Sequence, residues 1–273
     1  MQAFSRWTPP GGTLGTIAGE AEARARLLEP RAAELDRACG RVPAGPSLER
    51  ALRRETVALL AEVKRRSPSK GTIAPALDAV SQAQAYVAGG AAAVSILTED
   101  AHFGGSPEDL VAVRLEVNVA ALKKDFHVAP IQLVEARALG ASAALLIVRA
   151  LSPERLPEMM RAGRELGLEL LVEIRDEVEL ERAMLEGATM IGINNRDLET
   201  LEIDPTTADR LLPLVPRTVI AVAESGVASR RDVERYAASG ADAVLVGSVL
   251  SSAPDPVAAT RALAGVPRSE RGG

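Results

Sequence analysis

Eight short apolar runs punctuate this chain, and their spacing restricts its fold more than any other feature. The runs "TVALLAEVK", "GGAAAVSIL", "VNVAALKKD", "GASAALLIV", "LGLELLVEI", "EGATMIGIN", "RTVIAVAES" and "SGADAVLVG" begin near residues 57, 92, 119, 143, 168, 189, 218 and 243. A strand with one wet face alternates apolar and polar residues. These runs are nearly continuous, which predicts parallel strands covered on both faces. Their separation of about 20 to 35 residues is the length of one βα unit, and eight units predict an α/β fold of the (β/α)8 TIM-barrel type. An open doubly wound sheet more usually has about five or six strands and a Gly-rich dinucleotide loop after the first. Here that loop is "RRSPSKG".

The intervening stretches carry helix signals. "SPEDLVAVRLE" and "SPERLPEMMRAGRELG" each offer Ser as N-cap, Pro at the first helical position and an acid in the first turn, with Gly167 as a stop in the second. Residues 1–50 read as an N-terminal helical extension capping the barrel, with "GEAEARARLLEPRAAELDRACG" interrupted at Pro30. Residues 51–265 read as the barrel and 266–273 as a frayed tail.

Composition excludes several classes of function. Lys and Arg number 32 against 37 acids, a net charge of -5, and aromatics make up 2%. Without a basic block or aromatics to stack on bases, no nucleic-acid partner is expected. No apolar run reaches membrane-spanning length and the start lacks a leader pattern, so a cytoplasmic protein without a membrane partner is expected. Cys39 is the only cysteine, which excludes an internal disulfide framework or a CxxC metal site. His102 and His127 lack ligand spacing and read as loop residues, so no metal is expected. A monomer or weak homo-oligomer is expected.

Charges at the strand ends need a different explanation. Glu62 and Lys64 are two residues apart, so they share a face at the end of the first strand. Lys124 ends the third strand and Glu173 the fifth. Asn194 and Arg196 follow the sixth, and Glu224 and Ser225 the seventh. All fall on the C-terminal rim, where barrel enzymes keep their active sites. Buried ions cost several kcal/mol unless paired, so this set forms either a structural ion network or a site for a charged ligand.

Lysine usage favours chemistry. The chain has four lysines, Lys64, Lys70, Lys123 and Lys124, leaving 28 arginines of the 32 basic residues, and all four lie at the ends of the first and third strands. An ammonium releases its proton, whereas a guanidinium effectively never does. Lys70 and Lys123 read as neighbours of the working pair, and parity turns Lys123 away from the mouth if Lys124 enters it. Asparagine occurs only at 118, 194 and 195. Asn195 is the better candidate for a turn residue in the left-handed conformation. Gly226 and Ser225, with Gly247 and Ser248, bring small residues to the ends of strands seven and eight, where such barrels commonly hold phosphate. Phe103 and the "LLIV" of strand four make one side of the mouth apolar, suited to an aromatic ring.

Seven motifs in order, "AEVKRRSPSKG", "SILTEDAHFGGS", "LKKDF", "LVEI", "GINNRDL", "AESG" and "LVGS", resemble the indole-3-glycerol phosphate synthase family from about Ala61 to Leu250. The resemblance implies a phosphorylated, anthranilate-derived small-molecule substrate that closes to an indole with loss of carbon dioxide and water, without cofactor or metal. It implies Lys124 as general acid, Lys64 holding the substrate carboxylate with Glu62 fixing the lysine, and Glu173 as the acid/base of dehydration. Asn194, Arg196, Glu224 and Ser225 would position the intermediate. Ser67, Gly226, Gly247 and Ser248 would cradle phosphate, and Phe103 would form the aromatic wall. His102, Ile131 and Lys123 depart from the family pattern at non-catalytic positions. Alternatives are a sister phosphate-binding isomerase, for which a cysteine after strand one is missing, a Schiff-base aldolase, or a non-catalytic regulatory barrel binding a phosphorylated ligand.

Overall fold

The apolar runs close into a ring. The structure, a computed structural model, describes residues 7–269 and Arg271. Among them, eight parallel strands form a closed barrel: Ala58–Val63, Ala93–Leu97, Ala120–Lys124, Ala143–Ile147, Glu169–Ile174, Met190–Asn194, Ile220–Glu224 and Ala243–Val246. Sequential strands pair in order, and the first pairs with the eighth through Ala58↔Ala243 and Leu60↔Leu245. Every residue of the first, second, fourth, sixth, seventh and eighth strands is buried. That double cover explains the missing polar alternation. Each Val, Leu or Ile hidden this way contributes about 1.5–3 kcal/mol.

Most helix signals operate as read. Ser106 Oγ accepts the Asp109 N–H at 3.1 Å to start the helix Pro107–Glu116. Gly167 adopts φ 60° and ends the helix Arg155–Leu166. That helix begins two residues later than Pro153. Ser152 Oγ accepts the Arg155 N–H at 3.2 Å but also donates to Glu154 at 2.9 Å, so the hydroxyl closes a turn before the helix instead of capping its first residue.

Ahead of the barrel lie helices α1 (Gly12–Leu28), α2 (Ala32–Arg41) and α3 (Leu48–Leu52), with a tight turn at Glu29–Arg31 where Pro30 interrupts the first two. Helix α1 crosses the C-terminal mouth. At its start Thr13 N–H donates to Glu199 O at 3.1 Å; further along, Arg24 Nη2 binds Asp125 Oδ1 at 3.0 Å and Glu20 meets His102 Nε2 at 2.7 Å. Helix α3 lies at the opposite end, where Ser47 and the Glu49 N–H bind the Glu169 carboxylate.

The C-terminal segment differs from the expected loose end. Val266 O accepts the Val57 N–H at 2.8 Å, and the buried Arg271 donates to Asp242, Gly240 O and Val219 O at 2.6–2.8 Å. Arg268 adds a second ion pair to Asp242 at 2.9 Å. These acceptors stand just before strands seven and eight, at the barrel floor. Hydropathy cannot reveal such docking, because the segment is held by a guanidinium reaching carbonyls. Glu270, Gly272 and Gly273 lie outside the described residues.

Behind the third strand, parity turns Lys123 outward as expected. Its ammonium is 1% exposed and pairs with Asp125 at 3.1 Å and Glu135 at 3.2 Å. His127 follows in a loop, yet its ring is buried. Nδ1–H donates to Leu145 O at 2.8 Å, leaving Nε2 to accept from Lys123 Nζ at 3.4 Å. Burial, with the Lys123 charge, lowers the His127 pKa to about 3.

Two outcomes follow from these contacts. Replacing Arg271 by Ala leaves Asp242 and the carbonyls of Gly240 and Val219 short of a buried donor, so urea unfolding should show a loss of about 3–5 kcal/mol. His127, with its folded pKa below its ordinary 6.5, contributes stability that is present above pH 6.5 and is lost as pH falls toward 3. The difference in unfolding free energy between wild type and His127→Gln should therefore move against the wild type by up to about 1.4 kcal/mol per pH unit below 6.5. A pH-independent difference would refute this. Glu179 and Glu224, whose carboxyls are raised to about 7 and about 8 by burial, act in the opposite sense in both proteins and cancel from that difference.

Candidate active site

Every residue singled out as a site candidate lines one cavity of about 210 Å³ at the C-terminal mouth: Glu62, Lys64, Ser67 and Phe103; Lys124, Glu173, Asn194 and Arg196; Glu224, Ser225, Gly226, Gly247 and Ser248. Strand ends deliver the charged ones. Their side chains project inward from alternate strands, the first, third, fifth and seventh, so the carboxyl and ammonium groups meet across the lumen.

Two lysine clusters result. Lys64 Nζ lies 2.9 Å from Glu62 Oε1 on its own strand and 5.7 Å from the centre of the Phe103 ring. Lys124 Nζ lies 2.9 Å from Glu173 Oε2 and 3.1 Å from Glu224 Oε2, linking strands three, five and seven. Burial lowers the Lys124 pKa, but Glu173, Glu224 and Glu62 outweigh it and hold the group above the ordinary lysine range. The two contacts thus favour the charged form of Lys124. Burial has the other effect on Glu224, whose pKa rises to about 8 against the opposing pull of Lys124. Burial thus favours the protonated form of Glu224 even beside a cation.

A polar relay fixes Glu173. Asn194 Nδ2 donates to Glu173 Oε1 at 2.9 Å, and Asn194 Oδ1 accepts the Arg196 N–H at 2.9 Å. Arg196 donates to Leu201 O at 2.7 Å, and burial lowers its pKa. The site thus offers proton donors and acceptors around one apolar-walled space, and small residues where a phosphate can approach backbone. Phe103 stands 6.1 Å from Phe126 at a tilt of 37°, and Leu97, Leu145 and Ile147 continue that wall. The apolar side is where the sequence places it.

Asn195 departs from expectation. It is fully buried and outside the left-handed region, donating to Ser225 O at 2.9 Å and Tyr236 OH at 2.8 Å while accepting the Ala208 N–H at 2.9 Å. Among the described residues the non-glycine positions in the left-handed region are Leu201, at φ 67° later in the same loop, and Ser225, at φ 65° after strand seven. Asn195 pins that strained turn by its carbonyl, a role visible only when strands six and seven are adjacent.

Sequence reasoning also missed lining residues. Leu14 and Ile17 of α1 roof the cavity, and Lys70 lines it from the turn in which its N–H donates to Ser67 O and Oγ. Ser251 supports the end of strand one, accepting the Lys64 N–H at 3.2 Å and donating to Glu62 O at 3.1 Å. For Lys70 its scarcity was the available signal; for the others none was.

Comparison with known proteins agrees with this geometry. The family model for indole-3-glycerol phosphate synthase matches residues 18–263. A protein of that name from Parafrankia sp. is 47% identical over 86% of this chain and 88% of its own length. One from Nocardioides sp. is 51% identical over 76% and 80%, and one from Mycobacterium leprae is 48% identical over 83% of each. Among solved structures, 3-hexulose-6-phosphate synthase from Salmonella typhimurium superposes with a TM-score of 0.62 over 76% of this chain and 96% of that one, at 17% identity, a likeness of fold alone. With strand order, rim constellation and sequence all in agreement, the chain belongs to the indole-3-glycerol phosphate synthase family.

Proposed function

We propose that this chain is a decarboxylating, indole-forming carbon–carbon lyase. It closes 1-(2-carboxyphenylamino)-1-deoxyribulose 5-phosphate to indole-3-glycerol phosphate with loss of carbon dioxide and water, a step of tryptophan biosynthesis. The observation that carries this reading is the Lys124 ammonium, buried between Glu173 and Glu224 beneath an apolar wall. A reducing cytoplasm suits the chain's single cysteine, Cys39, which is a free thiol.

The ring carbon bearing the carboxylate attacks the keto carbon, forming the new C–C bond as the C=O π pair moves to oxygen. Lys124 gives that oxygen a proton. Because its acids hold the proton tightly, Lys124 releases it only to a strongly basic acceptor, which the nascent alkoxide is. Departure of carbon dioxide returns the bonding pair to the ring and restores aromaticity. Dehydration follows: the hydroxyl leaves as water with a proton from the lysine pair, and Glu173 takes the proton from the carbon next to nitrogen. One proton from solvent recharges the site.

Lys64, held by Glu62, pairs the substrate carboxylate until it leaves. Asn194 orients Glu173, while Arg196, Glu224 and Ser225 position the intermediate. Ser67, Gly226, Gly247 and Ser248 receive the phosphate, and Phe103 stacks against the aromatic ring. The direct test is turnover of the anthranilate-derived ribulose phosphate, followed by product fluorescence, with a chelator leaving the rate unchanged.

Lys124→Ala should lower kcat about a thousandfold with circular dichroism unchanged. Lys124→Arg should do no better, since guanidinium keeps its proton. A tenth of wild-type activity in either would remove Lys124 as the acid. Glu224 supplies a pH test. Its proton is present below about 8, and its loss adds negative charge beside Lys124, so kcat/KM should fall as pH rises through that value. In Glu224→Gln that basic limb should disappear.

A further inference from the structure

Gly192 sits inside the sixth strand, opposite Glu173 on the fifth and Val222 on the seventh. Being two residues before Asn194, it faces the lumen as Asn194 does. Its φ lies outside the left-handed region, so the backbone conformation does not require glycine there. Glycine weakens a strand interior and marks a place where another group approaches closely. Here that group is Glu224. A Cβ at position 192 would stand 2.1 Å from Glu224 Oε1 and 3.2 Å from its Cδ.

Glu224 has little freedom to retreat. Its side chain is 2% exposed, its Oε2 is 3.1 Å from Lys124 Nζ, and its Oε1 is buried with no hydrogen-bond donor. The first strand repeats the arrangement: Glu62, which holds Lys64, leans toward the eighth strand, where a Cβ on Gly247 would stand 2.6 Å from Glu62 Oε1. Each lysine thus has an acid lodged against a neighbouring glycine. Gly247 also faces the cavity, whereas Gly192 does not line it.

We propose that Gly192 is a positioning residue for Glu224: its missing side chain forms the notch that seats one carboxyl oxygen away from donors and leaves the other on the Lys124 ammonium. A methyl group in the notch pushes the carboxyl toward the cavity. There it is better solvated, ionises at lower pH and meets Lys124 in a different geometry. This inference rests on the proposed reaction only for its kinetic readout.

The experiment compares wild type, Gly192→Ala, Glu224→Asp and the double variant, with Glu224→Gln identifying the Glu224 titration. Gly192→Ala should lower kcat about tenfold or more with a smaller change in KM, and should move the Glu224 titration, read by carboxyl ¹³C NMR, down by about one pH unit. Aspartate is one methylene shorter and makes room for the methyl group. The double variant should therefore exceed, by about threefold or more, the activity predicted from multiplying the single effects. Strict multiplicativity, or a Gly192→Ala enzyme with wild-type kcat and Glu224 titration, would overturn the proposal. If Gly192→Ala alone fails to fold, recovery of a cooperative melt in the double variant supports the notch and its failure refutes it. If wild type does not turn over the substrate, the proposed reaction falls, and the ¹³C titration alone decides the role of Gly192.

Discussion

An ammonium group at the mouth of an apolar barrel cannot stand alone. Removing such a charge from water costs several kcal/mol, and only close carboxylates recover it. Lys124 therefore depends on Glu173 and Glu224 reaching it at 2.9 and 3.1 Å from two other strands. Glu173 depends in turn on Asn194, and Asn194 on the backbone after strand six. Ring closure and the chemistry are thus one requirement. Strands out of register would leave the Lys124 ammonium and the Glu173 carboxylate buried without each other.

The two ends of the barrel handle charge differently. At the floor, Arg268 and Arg271 satisfy Asp242 and several carbonyls, and Ser47 with the Glu49 N–H satisfies Glu169. Guanidinium forks suit such static work because they donate in several directions and never lose charge. Inside the cavity the paired cations are the ammonium groups of Lys64 and Lys124, set against Glu62, Glu173 and Glu224, while the guanidinium of Arg24 pairs with Asp125 from the helix above. Lys123 shows that ammonium alone does not imply chemistry: it is sealed behind the wall with Asp125 and Glu135, and its partners only hold the third strand against the helix Pro130–Ala138.

Much of this was legible in the sequence because periodic burial writes itself into residue order. Strands covered on both faces leave apolar runs, and strand parity places Glu62 with Lys64 and separates Lys123 from Lys124. Scarcity of lysine and asparagine pointed to the rim. What escaped depends on contacts between distant segments: Asn195 bonded to Ser225 and Tyr236, Ser251 under strand one, Leu14 and Ile17 roofing the cavity, and Arg271 at the floor. The late start of the helix Arg155–Leu166 is different, since the competing Glu154 was adjacent. There a local signal had two compatible outcomes.

Ser225 carries one more implication. A serine held at φ 65° bears a conformational penalty of about 1 kcal/mol or more that glycine would not. The fold tolerates it by anchoring the Ser225 carbonyl to Asn195, keeping a hydroxyl beside the reacting groups. Selection for heat resistance alone, blind to turnover, would drift toward glycine at this position and erase that hydroxyl. Thermal robustness and catalytic fitness therefore pull in opposite directions at a single backbone torsion.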